Sequence, residues 1–460
     1  ARPQHEDPER ARRRAKPDVR PARLRRQPVE QPGQRHEPAK ARCNVGRDEG
    51  RTDPCPAAAR AGDLARAETA LGEALTLYPD VPGSYIRLAR VQAAAGRSEA
   101  ALANVATYAS MGLRLDISRD PALKGLSDLP GWAEVAATFE KNGSPSGDAD
   151  EIASVIGHPE FIGEGLAHDG KGWLLSTVSG RTIVRLADGG ATTPFLKGDA
   201  DTGAIFGMAV DRQRGLLWAA EAWGDGVPEG TGASKTGLLK VSLVDGRVLA
   251  RVFLPDDGGA HQFGDVLADP DGTVYATDSA GGGLWRLRAG EVQLEQVVAP
   301  GQYASPQGMA FCAEGKALLV ADYSTGLHRV DLATGVTTPL GGLRAGMAGT
   351  DGLLAVPEVD FGLRSASPLP LGVIVTQNGV SPQRIMLLRI SPDCDKVEGA
   401  HLIAANLPGM EDVSLATKHD GYVVFVGRAR WEARGQDGKL TRPDPGPIRV
   451  FQASVPGMTF

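Results

Sequence analysis

A chain of 460 residues is long enough to bury a sizeable core and to hold more than one domain. Its net charge of −6 is too mild to point to a polyanionic partner, and no apolar run approaches the roughly 18 residues that a bilayer span requires. The four cysteines, Cys43, Cys55, Cys312 and Cys394, share no metal-ligand spacing, which argues against a thiolate zinc site.

Residues 1–56 are rich in Arg, Pro, Gln and Glu, with almost no large apolar side chains, and the first 55 carry a charge of about +6. Such a segment buries too little surface to offset its chain entropy, so a disordered basic leader is expected. Its clusters, Arg12-Arg13-Arg14 and Arg25-Arg26, lack interleaved aromatic residues that would stack on bases, and a nucleic-acid partner is not expected. The chain opens on Ala and changes composition near residue 57, as a fragment or mis-assigned start lacking a signal peptide would. A weak lean toward a secreted or periplasmic location goes with that reading.

Between residues 57 and 142 the pattern turns helical. Gly62, Ala67, Ala74 and Pro79 fall at the offsets of a turn glycine, two small contact residues and a terminating proline. Gly96 and Ala101 repeat the first two 34 positions later. The stretch resembles tetratricopeptide repeats, with Pro79 ending a helix after Tyr78. Asp120 through Phe139 reads as one more capping element. Fewer than three units are present, so the segment is expected to lean on its own neighbour, either as a packing appendage or as a groove for a protein partner.

From residue 150 onward a β-rich unit recurs. Its openings are Glu164-Gly165-Leu166-Ala167, Phe206-Gly207-Met208-Ala209, Gly264-Asp265-Val266-Leu267, Gln307-Gly308-Met309-Ala310, Asp351-Gly352-Leu353-Leu354 and Glu411-Asp412-Val413-Ser414. They fall 42, 58, 43, 44 and 60 positions apart, which fits a basic unit near 43 residues with insertions at about 223–235 and 357–371. A second strand follows each opening, as in Val274-Tyr275-Ala276-Thr277 after the Asp271-Gly272 turn. The fold class predicted is mainly β: a six-bladed β-propeller over 150–460 behind an α-helical segment. The last unit is one strand short, and Ile152–Ile156 is expected to supply its outer strand and close the ring. Cys312 and Cys394 read as free thiols unless neighbouring blades bring them together.

Inner strands of a propeller converge on one axis. Glu164, Asp265, Gln307, Asp351 and Asp412 are therefore expected near a common tunnel, where carboxylates repel unless protonated or sharing a cation. Hard oxygen donors suit calcium first, then magnesium or manganese, with zinc also considered.

The openings resemble the senescence-marker/gluconolactonase/luciferin-regenerating (regucalcin-like) family over roughly 155–455. That resemblance implies a divalent cation held by Glu164, Gln307 and Asp351, with Gln307 standing where the family has Asn. It implies hydrolysis of a small lactone or sugar-derived ester, with Asp351 accepting a proton from the attacking water. His261, Asp265 and Asp412 become candidate substrate contacts, and His261 a candidate general base. The family's third-blade Asn position is Gly264 here. His168 and His328 read as structural. The alternatives are a non-catalytic propeller binding a peptide or protein through its rim loops, and a lyase on the same scaffold.

Overall fold

The computed structural model describes residues 63–224, 227, 234–357, 359–362, 369–435 and 438–457, all within one compact unit. The basic leader, Gly62, most of the first long insertion, and 358 with 363–368 of the second lie outside the described residues.

Four helices come first: α1 (Leu64–Leu77), α2 (Pro82–Ala94), α3 (Ser98–Ser110) and α4 (Trp132–Gly143). Asp63 caps α1 by accepting from the Arg66 N–H at 3.0 Å, and α1 stops before Pro79, as the sequence predicts. Pro82 occupies the first turn of α2, where its missing N–H costs nothing. The helices α1 and α3 start 34 residues apart, and Ala67 and Ala101, at matching places in them, are fully buried. Among the described residues no helix is long and apolar enough to cross a membrane.

Six sheets follow, antiparallel throughout except where Gly341–Gly342 joins the outer strand of blade five in parallel. Their inner strands are Gly163–His168, Ala204–Asp211, Phe263–Ala268, Pro306–Cys312, Thr350–Ala355 and Ala416–His419. Each inner strand contacts the next, and the sixth contacts the first, so the ring is closed and the fold is a six-bladed β-propeller. The second strands, such as Val274–Asp278 and Ala317–Asp322, are buried on both faces because each blade is packed between its neighbours.

Closure uses the strand anticipated from sequence. Ala149–Val155 pairs antiparallel with Ile448–Ser454 and becomes the outer strand of blade six, with Ala153 opposite Val450. Just before it, Ser146–Gly147 adds to the edge of blade five against Ala404 and Ala405.

The helical segment rests on blade five. Arg384, 2% exposed, donates from Nη1 to the Met111 carbonyl at 2.7 Å, from Nη2 to the Ala345 carbonyl at 2.7 Å and from Nε to Gln377 Oε1 at 2.6 Å. Asp80 accepts from the Gly346 and Met347 N–H groups at 2.6 and 3.0 Å. Burial raises the Asp80 carboxyl to about 6 against those bonds and the Arg384 charge, and burial lowers Arg384 to about 10. Val380 joins the apolar core of the helices.

Candidate functional site

One position in each inner strand is set by register. The residue just before it pairs at or near the end of the second strand: Gly163 with Thr177, Ile205 with Glu221, Phe263 with Asp278, Pro306 with Asp322 and Thr350 with Gln377. A bulge follows in all five blades, and it turns the next residue toward the axis. Those residues are Glu164, Phe206, Gly264, Gln307 and Asp351. In blade six the Ala429 N–H bonds the Asp412 carbonyl as the Val178 N–H bonds that of Ile162, so Ser414 takes the place of Glu164.

This register locates the other two candidate carboxylates. Asp412 lies two residues before the ring position, buried, with its charge felt at Glu164. Asp265 lies one residue after the ring position, where blades one, two, four and five carry Gly165, Gly207, Gly308 and Gly352. Those glycines allow close approach between strands: a Cβ on Gly308 would stand 2.7 Å from Gly352 Cα. Asp265 fits because its neighbour in blade two is Gly207, which has no side chain to meet its carboxyl.

Glu164 and Asp351 are both buried and interact electrostatically. Burial, followed by the Asp351 charge, pushes the Glu164 carboxyl well above its usual range; the Trp431 indole, donating to Glu164 Oε2 at 2.7 Å, only partly offsets this. The buried Ser414 hydroxyl lies close enough to Glu164 to favour its ionised form. Burial raises Asp351 to about 7, opposed by Asn378, whose Nδ2 donates to Asp351 Oδ2 at 2.8 Å and to the Val413 carbonyl at 2.9 Å. The Tyr323 hydroxyl donates to Asn378 Oδ1 at 3.0 Å, which fixes the direction of the amide. Asp265 is raised to about 7, chiefly by burial and against the Val266 N–H bond at 2.8 Å. Asp412 reaches about 8 through burial and then Glu432, while its Oδ2 accepts from the Trp431 N–H at 2.5 Å.

Gln307 leans toward blade three. Its Nε2 donates to Ser305 Oγ at 2.9 Å, and its Oε1 lies 3.4 Å from the Ser279 hydroxyl. A Cβ on Gly264 would come within 3.3 Å of that Oε1, so the Gln307 amide fills the space left by the missing third-blade side chain.

His261 stands apart from these carboxylates. Its Nδ1 is bound by Asp278 Oδ2 and its Nε2 by Asp257 Oδ1 at 3.0 Å. Burial disfavours the charged ring, yet the Asp278 and Asp257 bonds outweigh it and raise the His261 pKa. A ring with both nitrogens engaged and its proton held offers no free lone pair, so the expected general-base role does not fit this geometry. His328 contacts Tyr78, Tyr303 and Thr325, and His168 stacks on His419 at 3.6 Å between centroids.

Two groups of residues escaped the sequence reading. One is a polar residue at or near the end of four of the second strands. Glu221, Asp278, Asp322 and Gln377 are nearly inaccessible, and each bonds the backbone entering its own inner strand, as Asp322 Oδ2 does with the Ala304 N–H at 2.6 Å. The other is Asn378 with Ser414 and Trp431, which complete the mouth. The recurring polar end of the second strands was the signal that could have found the first group.

Among the described residues no three His, Cys, Asp or Glu side chains form a group that would hold a metal ion on their own. Two interacting carboxylates, hard oxygen donors of the kind a divalent cation takes, lie buried together, and no Lys or Arg among the described residues bonds either Glu164 or Asp351.

No family model matches the chain, and no curated protein does. Among solved structures, the PQQ-bound aldose sugar dehydrogenase of Streptomyces coelicolor matches with a TM-score of 0.43 and 13% identity, over 68% of this chain and 99% of that one. A catalytically inactive virginiamycin B lyase of Staphylococcus aureus with quinupristin matches with a TM-score of 0.39 and 10% identity, over 67% and 99%. Likeness at this level leaves the chemistry to the site itself.

Proposed function

We propose that the chain is a divalent-metal-dependent hydrolase of a small lactone or sugar-derived ester. The observation that carries the proposal is the buried Glu164–Asp351 pair, two carboxylates in contact range of each other's charge with no basic side chain among the described residues to neutralise them. Glu164 and Asp351 would hold the cation, calcium by preference, and the resemblance of their openings to the gluconolactonase-like family supports that choice. When bound, the cation would supply Lewis-acid polarisation of the substrate carbonyl. Asp351 accepts the proton of the attacking water, and Asn378 holds one of its oxygens so that the other faces the mouth. Asp265 and Asp412 supply the further polar contacts. The Trp431 side chain covers Glu164 and screens it from bulk water.

Elemental analysis of the purified protein and a lactone panel with and without chelator test this reading. Hydrolysis should fall at least about 100-fold in Asp351→Asn and on chelation, and calcium should restore the second loss. A protein inactive on every lactone in calcium, magnesium, manganese and zinc, whose melting ignores chelator, would instead be a binding module working through its rim loops.

A further inference from the structure

The ring closes where blade six meets blade one, and two histidines face each other across that junction. His168 is the last residue of the inner strand Gly163–His168, and His419 is the last of Ala416–His419, so both lie at the strand ends away from the mouth. Their rings stack with centroids 3.6 Å apart and planes 24° from parallel. The Trp173 indole, opposite His168 in its hairpin, packs edge-on against both rings at 4.7 and 5.4 Å. Tyr422 stands opposite His419 in the hairpin of blade six. At the mouth end the same junction is crossed by the Trp431 bond to Glu164.

The bonds around the pair set its protonation. The Gly170 N–H donates to His168 Nδ1 at 3.2 Å, so that nitrogen presents its lone pair and the ring is neutral. Arg212, from the turn after the inner strand of blade two, donates from Nη2 to the His168 carbonyl at 2.9 Å and brings positive charge beside the ring. Asp169 follows His168 directly, but its carboxylate is bridged by Arg185 and accepts from the Lys171 and Gly172 N–H groups at 2.8 and 3.0 Å. Asp420 lies 3.2 Å from His419 Nε2 and favours a proton on His419 instead. A proton on His168 would therefore have no counter-ion of its own. Burial, then His419 and Arg212, lower the His168 pKa, opposed by Asp169 and Asp420.

We infer that the stacked His168–His419 pair is an acid-sensitive latch between blades six and one, closed while His168 is neutral and loosened when both rings carry a proton. Two imidazoliums 3.6 Å apart repel, and a protonated Nδ1 has no lone pair left for the Gly170 N–H. The unfolded chain takes this proton more readily than the fold does. The latch is therefore whole above the ordinary histidine value of 6.5 and is lost as pH falls below it toward the lowered folded value. The raised carboxyls at the mouth respond in the opposite sense, and their contribution cancels when parent and variant are compared at the same pH.

The test is hydrogen–deuterium exchange of the full chain at about pH 7.5 and about pH 5, read by mass spectrometry and corrected for intrinsic rate. Peptides covering Gly163–His168 and Ala416–His419 should exchange at least about threefold faster at the lower pH, relative to the inner strands Phe263–Ala268 and Pro306–Cys312. His168→Gln keeps an acceptor for the Gly170 N–H but takes no proton, and it should abolish that difference. Its melting temperature should also rise relative to the parent's between the higher and the lower pH. His419→Gln leaves a single ionisable ring and should act alike, so the result stands if one variant does not fold. Equal protection of the junction at both pH values in the parent overturns the inference, as does an acid response that survives in either folded variant.

Discussion

At the scale of single residues, the mouth of the channel concentrates carboxyls that would rather be neutral. A carboxyl whose folded pKa exceeds its unfolded value stabilises the fold at low pH, and that contribution is lost as pH rises through the folded value. For Asp265 the window runs from 3.8 to about 7, and for Asp412 its upper end is about 8. In chelator, the melting temperature should therefore fall between about pH 5 and 8. Asp265→Asn should flatten that fall and gain up to about 4 kcal/mol over the parent at pH 8. Parallel pH profiles for the two proteins would count against the buried-carboxyl account. Glu164 and Asp351 were legible in the sequence because each precedes Gly at the start of a repeat. That Asp412 and Asp265 lie two positions before and one after the ring position was not legible, because acidic residues beside a repeat opening look alike until register is known. Asn378 was not legible: it follows the second strand, and only the approach of blade six to blade five brings Val413 and Asp351 to its amide.

At the scale of elements, Arg384 joins helices to blade. Its hydrogen bonds reach Met111 at the end of α3, the Ala345 and Gly346 carbonyls entering blade five and the Gln377 side chain within it. Arg384→Ala would leave those buried acceptors without their donor and Asp80 without the nearby positive charge, and about 3 kcal/mol should be lost. A urea midpoint equal to that of the parent would show that the segment is held by apolar packing alone. One helix end was readable from Pro79, since a proline acts locally; the Asp63 cap and the Pro82 start emerged only with the structure. The docking was not readable beyond the expectation that so short an array needs support, because an arginine inside a strand gives no sign of its partners 273 residues away.

At the scale of the whole molecule, the number of blades and the closing strand were both visible in the sequence: one counts repeats, and the other follows from a last unit that lacks an edge. What periodicity could not supply is where the ring axis passes, because that depends on bulges set by pairing. The seam itself is open to test. Ala153 is buried opposite Val450, and Ala153→Pro would remove a ladder hydrogen bond and press a ring into blade six. About 3 kcal/mol should be lost, with soluble aggregates on size-exclusion chromatography from the bared edge of Ile448–Ser454; an unchanged elution profile and melting temperature would refute the role given to this strand. The seam also orders events during synthesis on the ribosome. Residues 149–155 emerge early and must wait, unmatched, until Ser454 has left the exit tunnel, so every nascent intermediate carries two bare sheet margins and stands most in need of a chaperone in the interval before they meet.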